Sequence, residues 1–227
     1  YSINIERFKH SEHLSYDTYG LKSMSWNRFI VWDEAQRDYL KQYCPDAKYI
    51  IAGSIDLSDS TEILDLNNKN YNIAVFDVYA VRPICYVGIG LACEPYYSSK
   101  VLSDFLTDIG SISEYGNIEL LYKQKRVAKR VTVSPTAMKQ KNTIIKKYYK
   151  IIEPDVSAKY LIKKSDAVIS MPFTATAIIG KELGIPSIYY DASGVLEQTI
   201  HHGVPVLKNK DELNRWYFSL DIEQKAK

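Results

Sequence analysis

Three hydroxyls, Ser170, Thr174 and Thr176, stand close together in the string Ser170-Met171-Pro172-Phe173-Thr174-Ala175-Thr176-Ala177. At the start of a helix such hydroxyls can seat an anion, because unpaired backbone N–H groups and the positive end of the helix dipole lie there. The chemistry they suggest is the binding of a phosphate. A second set, Lys123, Lys125 and Arg126, follows the apolar run Ile118-Glu119-Leu120-Leu121-Tyr122 and supplies positive charge. If that run is a strand, its carboxyl end delivers these cations to the same sheet edge. A plainer alternative makes Thr174 the N-cap of an ordinary helix, a common use of Ser and Thr.

These side chains need a strand, a turn and a helix to hold them. Ala167-Val168-Ile169 is the short apolar run of a strand covered on both faces, and Pro172, which cannot donate to a ladder, ends it. From Thr174 to Leu183 the residues Ala175, Ala177, Ile178, Ile179 and Leu183 suit a helix packed on a sheet, and Gly184 with Pro186 stops it. Ile185–Tyr190 opens another strand. In such a βαβ crossover the ligand edge holds Ser170–Thr176 and Asp191–Gly194. Elsewhere, strands are expected at Phe29–Trp32, Lys48–Ala52, Ile73–Val78 and Ile118–Tyr122, with Ile151-Ile152 extended. Helices are expected from Asp33 to Tyr43, Pro95 to Ile109, Pro135 to Lys141, Val156 to Lys164 and Asp211 to Leu220. Strands alternating with helices predict an α/β fold with a doubly wound parallel sheet. The polar stretch 56–70 reads as a linker between a partial region 1–55 and a domain 71–227.

With 227 residues, 46% hydrophobic and 25% charged, the chain can bury a substantial core. It has no apolar run near the ~20 residues of a membrane-spanning helix and no signal-peptide layout, so a cytoplasmic location is expected. It starts at Tyr1, and Tyr1–Ser25 lack a periodic element, which reads as a piece of a longer protein. Cys44, Cys85 and Cys93 show no CxxC spacing, and Cys85 and Cys93 read as small core residues. His10 and His13 lack a third ligand nearby, and His201-His202 are adjacent, so no metal or other cofactor is expected. The net charge of +2 conceals a run from Lys123 to Lys150 with ten basic residues and no acid, leaving the remainder at −8. Such a run is a solvated face, a nucleic-acid or membrane patch, or a site for a charged substrate.

The string Ser170–Ala177, taken with Tyr189-Tyr190-Asp191, resembles the bacterial polysaccharide-biosynthesis proteins named for a Pro-Phe-Thr-Ser motif, with Ala175 in place of the motif's serine. Ile151-Ile152-Glu153-Pro154, the helix carrying Leu161 and Ser165-Asp166 are similar to the C-terminal, donor-binding half of GT-B glycosyltransferases. The resemblance spans Arg28 to Trp216 and is strongest over Ile152–Asp191. It implies a Rossmann-like, GT-B-type nucleotide-sugar donor-binding domain over 71–227, with 1–55 a remnant of the acceptor-side domain. It also implies metal-independent transfer of a sugar to a surface polysaccharide or a lipid-linked glycan. GT-B enzymes that use CMP-activated ulosonic acids, such as sialic acid or Kdo, hold the phosphate with hydroxyls at a helix start and a basic or His-Pro element. Ser170, Thr174 and Thr176 match the first, with Pro172 and Phe173 of the motif counted among the donor-site residues; Lys123, Lys125 and Arg126, or Ser134-Pro135, match the second, and there is no His-Pro pair. Glu153 falls where many GT-B proteins hold the ribose or base. The general base commonly comes from the N-terminal domain, which leaves His13, Asp17 and Asp33 as candidates, Asp33 reading first as a helix N-cap.

Other readings stay open. A nucleotide-sugar epimerase has the same fold but needs further acid/base groups. A teichoic-acid-type polyol-phosphate transferase would make a phosphodiester. A non-enzymatic basic module would bind nucleic acid or anionic membrane, with a steep dependence on salt. The basic run lacks nucleic-acid recognition motifs, so nucleic acid is not an expected partner. Under the glycosyltransferase reading it holds the protein peripherally at the inner face of the cell membrane.

Overall fold

The computed structural model describes residues 24–53, 66, 70–78, 98–124, 135–172, 174–220 and 222. A small parallel pair, β1 (Arg28–Val31) and β2 (Lys48–Ile51), is joined by α1 (Glu34–Lys41). The main sheet contains β3 (Tyr71–Phe76), β4 (Ile118–Lys123), β5 (Lys150–Ile151), β6 (Ala167–Ser170), β7 (Ser187–Tyr190), β8 (Ile200–His201) and β9 (Val204–Leu207). Their spatial order is β5-β4-β3-β6-β7-β9-β8. Its helices are α2 (Ser99–Ile112), α3 (Pro135–Tyr148), α4 (Ala158–Lys163), α5 (Thr176–Glu182) and α6 (Lys210–Phe218).

The sheet is covered on both faces, which is why its central strands are apolar throughout. Every residue of β3 is buried. Ile73, Val75, Leu120, Ile169 and Met171 pack with Val101, Phe105, Leu106 and Ile109 of α2, while Ala74, Phe76, Leu121 and Val168 pack with Leu161 and Ile162 of α4 and Ile179 of α5. The chain moves outward from β3 to β4 and β5, then crosses back to β6 on the other side of β3. The order therefore reverses between β3 and β6, the point at which open α/β sheets form their ligand crevice, beyond the carboxyl ends of the strands.

Several expected boundaries move, each for a local reason. β3 stops at Phe76, so Asp77 stands just past the strand rather than within it. α3 continues beyond Lys141 to Tyr148, because Lys141, Ile144, Ile145 and Tyr148 share one stripe of the helix. Gly110 leaves room for it: a Cβ there would lie 2.6 Å from Cδ2 of Tyr148. α5 starts at Thr176, and Ala175 occupies its N-cap position without a side-chain hydrogen bond, so Thr174 is not the cap. The sheet is also not wholly parallel. β8 returns antiparallel to β9 through His202 and Gly203, whose φ values of 51° and 72° are the left-handed pair of a two-residue hairpin. No strand is expected there from the sequence, since short strands around Pro205 carry little periodicity. Among the described residues no helix is long and apolar enough to cross a membrane. Cys44 is a buried thiol whose Sγ donates to the Met24 carbonyl at 3.6 Å, whereas Cys85, Cys93 and His10 lie outside the described residues.

Candidate functional site

The turn after β6 is built around its hydroxyls. Met171 N–H makes a last ladder bond to the Phe76 carbonyl, at 2.9 Å, before Pro172 ends the pairing. Thr174 is buried and its Oγ1 donates to the Met171 carbonyl at 2.9 Å. Thr176 Oγ1 lies 3.0 Å from Thr174 Oγ1 and 2.8 Å from Ser170 Oγ. A hydroxyl has one proton, and Thr174 spends its own on Met171. Thr176 must then donate to Thr174, and Ser170 to Thr176. Ser170 is fully buried, so the partly buried Thr176 is the member that can turn its proton toward a ligand. α5 has only seven residues, which leaves the hydroxyls rather than a long helix dipole as the principal anion-binding feature.

Tyr189, Tyr190 and Asp191 support this edge from β7. Tyr189 Oη donates to the Thr174 carbonyl, fixing the turn. Tyr190 Oη donates to Asp108 Oδ2 of α2 at 2.7 Å, and burial, with that carboxylate, pushes its phenol far above the usual range. Asp191 is fully buried and accepts from Ser193 N–H and Leu196 N–H, each at 3.0 Å, and from Ser193 Oγ. Its carboxylate folds the loop after β7.

Of the expected cations, Lys123 is buried at the end of β4, where its Nζ donates to the Glu153 and Pro154 carbonyls at 3.1 and 3.0 Å. It ties down the loop after β5. The Glu153 carboxylate above that loop is exposed. Lys125, Arg126, Ser134, Phe173, His13 and Asp17 lie outside the described residues. The structure thus brings together Ser170, Thr174 and Thr176, beside the buried Pro172.

A cluster not expected from the sequence lies on the β3 side of the same crevice. Asp77 Oδ2 accepts from Tyr122 Oη at 2.5 Å and from Lys141 Nζ at 2.7 Å. Burial, then the Asp77 carboxylate, holds the Tyr122 phenol well above its usual value. The sequence signal was present in α3, where Lys141 shares the inward stripe of Ile144, Ile145 and Tyr148.

Asp33 lies elsewhere. Its Oδ1 caps α1 through Gln36 N–H at 2.9 Å, and its Oδ2 pairs with Nδ1 of His202. Burial raises the Asp33 pKa, but the bonds from His202 and Gln36 and the nearby imidazoles outweigh it and leave the carboxyl below its usual value. Because β9 runs parallel to β7, the His202-Gly203 turn before β9 is at the amino edge of the sheet, away from the hydroxyl turn. Lys181 Nζ fixes the same turn by donating to the His202 carbonyl at 3.0 Å. A cleft of about 480 Å³ runs beside this join, between Ala35 and Asp38 of α1, with Gln42 just past its end, and the segment 197–200. Among the described residues no group of three His, Cys, Asp or Glu side chains is placed to hold a metal.

Comparison with solved structures gives weak overall likenesses. TarM aligns over 98% of this chain and 44% of its own, at 12% identity and a TM-score of 0.47. A mutant of S. aureus TarM in complex with Fondaparinux, alpha-GlcNAc-glycerol and UDP aligns over 93% and 40%, at 11% identity and a TM-score of 0.47. Thermosulfurimonas dismutans KpsC, a beta Kdo 2,4 transferase, aligns over 58% and 36%, at 12% identity and a TM-score of 0.32. The chain spans less than half the length of each. Comparison with curated proteins found no match. The family comparison is direct, matching residues 1–217 to the polysaccharide biosynthesis PFTS motif proteins. With the hydroxyl turn in place after β6 and the match running over nearly the whole sequence, the chain belongs to the polysaccharide biosynthesis PFTS motif family.

Proposed function

We propose that this chain is the donor-binding part of a glycosyltransferase of GT-B type, which binds a nucleotide-activated sugar in the crevice between β3 and β6 and passes the sugar to a growing polysaccharide. The observation that carries the reading is the linked set Ser170, Thr176 and Thr174, at the edge where an open α/β sheet takes its ligands. When the glycosidic bond breaks, negative charge develops on the leaving phosphate. Thr176 meets it by turning its proton from Thr174, with backbone N–H groups of the first turn of α5 beside it. Each preorganised donor of this kind contributes on the order of 3 kcal/mol to lowering the barrier. Lys125 and Arg126, which follow β4 in sequence, are the proposed cations, and the transfer is proposed to need no divalent metal. A CMP-linked ulosonic acid such as Kdo or sialic acid is the proposed donor, its single phosphate meeting the hydroxyls of Ser170, Thr174 and Thr176. Lys139 and Lys146, exposed on α3, suit a peripheral contact with anionic membrane.

The test is a thermal-shift screen against CMP, CDP, UDP and GDP, with and without EDTA. A ligand at 100 times its dissociation constant adds about 2.7 kcal/mol of stability. Stabilisation by one nucleotide, unchanged by EDTA, is the expected result. No response to any of them by the folded protein would end this reading, and transfer of a phosphodiester would replace it with a polyol-phosphate transferase.

A further inference from the structure

Asp77 and Lys141 make a buried ion pair on which none of the steps above depends. Their side chains are only 2% and 16% exposed. A pair this deep is a weak way to stabilise a fold, since apolar residues of similar volume often do as well or better. Its valences are also incomplete. Both bonds received by the carboxylate fall on Oδ2, from Tyr122 and Lys141, and Oδ1 accepts none from any described residue. The ammonium has three N–H groups, one of them on Asp77, while its charge stands 5.3 Å from the centre of the Tyr122 ring.

The position of the pair adds meaning. Phe76 pairs with Ser170, so Asp77 follows directly beside Met171 and the hydroxyl turn. Side chains alternate along a strand, which sends Asp77 with Val75 toward α2 and α3, and Ser170 with Val168 toward α4 and α5. The two sets thus approach the crevice from opposite faces of the sheet. They differ in charge as well: the hydroxyl turn offers proton donors and suits an anion, whereas the ion pair is neutral as a unit. A phosphate at the pair would meet the Asp77 carboxylate. A sugar hydroxyl meets both needs, donating to Oδ1 while its own oxygen accepts from Nζ.

We infer that Asp77 and Lys141 form a hydroxyl-reading subsite for the ring of the transferred sugar, with Tyr122 holding the carboxylate in place. The inference rests on the donor-binding reading and deepens it by dividing the crevice into a phosphate half and a sugar half.

Titration calorimetry of the full chain separates the two halves, with UDP and UDP-N-acetylglucosamine as one probe pair and CMP and CMP-N-acetylneuraminate as the other. The unaltered protein is expected to bind one conjugate at least about tenfold more tightly than its free nucleotide, the effect of hydrogen bonds to charged groups. Lys141→Met should leave the affinity for the free nucleotide unchanged and bring that ratio near one. Because Lys141→Met leaves Asp77 buried without its cation, the neutral double variant Asp77→Asn/Lys141→Met serves if the single one does not fold, with the same expectation. An unchanged ratio in a folded variant overturns the subsite, as does an equal loss for nucleotide and conjugate. If the unaltered protein binds no nucleotide, the donor-binding reading falls and takes the subsite with it. If it binds free nucleotides with no preference for either conjugate, the subsite alone falls.

Discussion

The carboxyl and amino edges of the main sheet use similar polar side chains to opposite ends. At the amino edge both carboxylate oxygens of Asp33 are engaged. Asp33 spends one oxygen on the cap of α1 and the other on His202, and the His202 carbonyl is held by Lys181. At the carboxyl edge capacity is left over among the described residues: Thr176 can redirect its proton, Asp77 Oδ1 accepts no bond, and Lys141 places one of its three N–H groups on Asp77. His202 is nearly as buried as Asp77, so burial alone does not mark a site. Unspent hydrogen-bonding capacity at a point where strand order reverses does so better. By this criterion Asp33, a candidate base in the sequence, belongs to the join between β1-α1-β2 and the main sheet.

The largest expected difference between the edges is in acid. Burial, with the adjacent His202, pushes the His201 imidazole down from 6.5 to about 3, against a smaller opposing pull from Asp33. A base with a lowered folded value stays neutral in the native state while the unfolded chain takes up a proton. Stability is therefore full above pH 6.5 and falls by ~1.4 kcal/mol per pH unit as pH drops toward 3. Asp33, whose folded value is lowered, adds a further loss only below ~pH 4. Denaturant unfolding from pH 7 to pH 4 measures the slope, and His201→Phe should flatten it. An unaltered slope in that variant would show that the acid sensitivity is not housed at the amino edge.

A crossed pair of substitutions comes next. Thr176→Val should weaken nucleotide binding by roughly tenfold to a hundredfold, the value of a hydrogen bond to a charged group, while shifting the melting temperature little. Asp33→Ala should do the reverse. It removes the α1 cap and the partner of a buried imidazole, for a loss of about 2 kcal/mol with nucleotide affinity unchanged. If Asp33→Ala abolishes binding in a folded protein, the division between the edges is wrong.

The distribution of open and closed valences also explains what the sequence reveals. β3, β6, α2 and the turn at Ser170–Thr176 are visible because apolar runs, a proline and clustered hydroxyls are local signals. The pairs Asp33–His202 and Asp77–Lys141 join residues 169 and 64 positions apart, and no local pattern encodes either. Lys141 is further obscured by its neighbours, since a lysine within a basic run reads as a solvated face. Its place on the stripe of Ile144, Ile145 and Tyr148 distinguishes it once α3 is known to continue past it. The β8–β9 hairpin is hidden for a different reason: its His202-Gly203 turn is a left-handed pair in which histidine stands where asparagine is the common signal.

The smallest effect concerns the two lysines Lys123 and Lys141 of the carboxyl edge, which differ in what they hold. Lys123 directs its ammonium to two backbone carbonyls of the loop after β5, and Lys141 directs its own to a carboxylate with capacity to spare. Lys123→Met keeps the aliphatic stem packed and removes only the donor. The loop retains the Ile152 N–H bond to the Tyr122 carbonyl at 2.9 Å, and the exposed Glu153 and Pro154 carbonyls can turn to water. The loss should therefore be about 1 kcal/mol, with amide exchange accelerated at Glu153, Asp155 and Val156. Any effect on ligand should fall alike on free nucleotide and sugar conjugate, because the loop would change position for both. A selective loss of the conjugate would instead place Lys123 with Lys141 in reading the sugar, and the contrast between a structural and a ligand-facing lysine would have to be withdrawn.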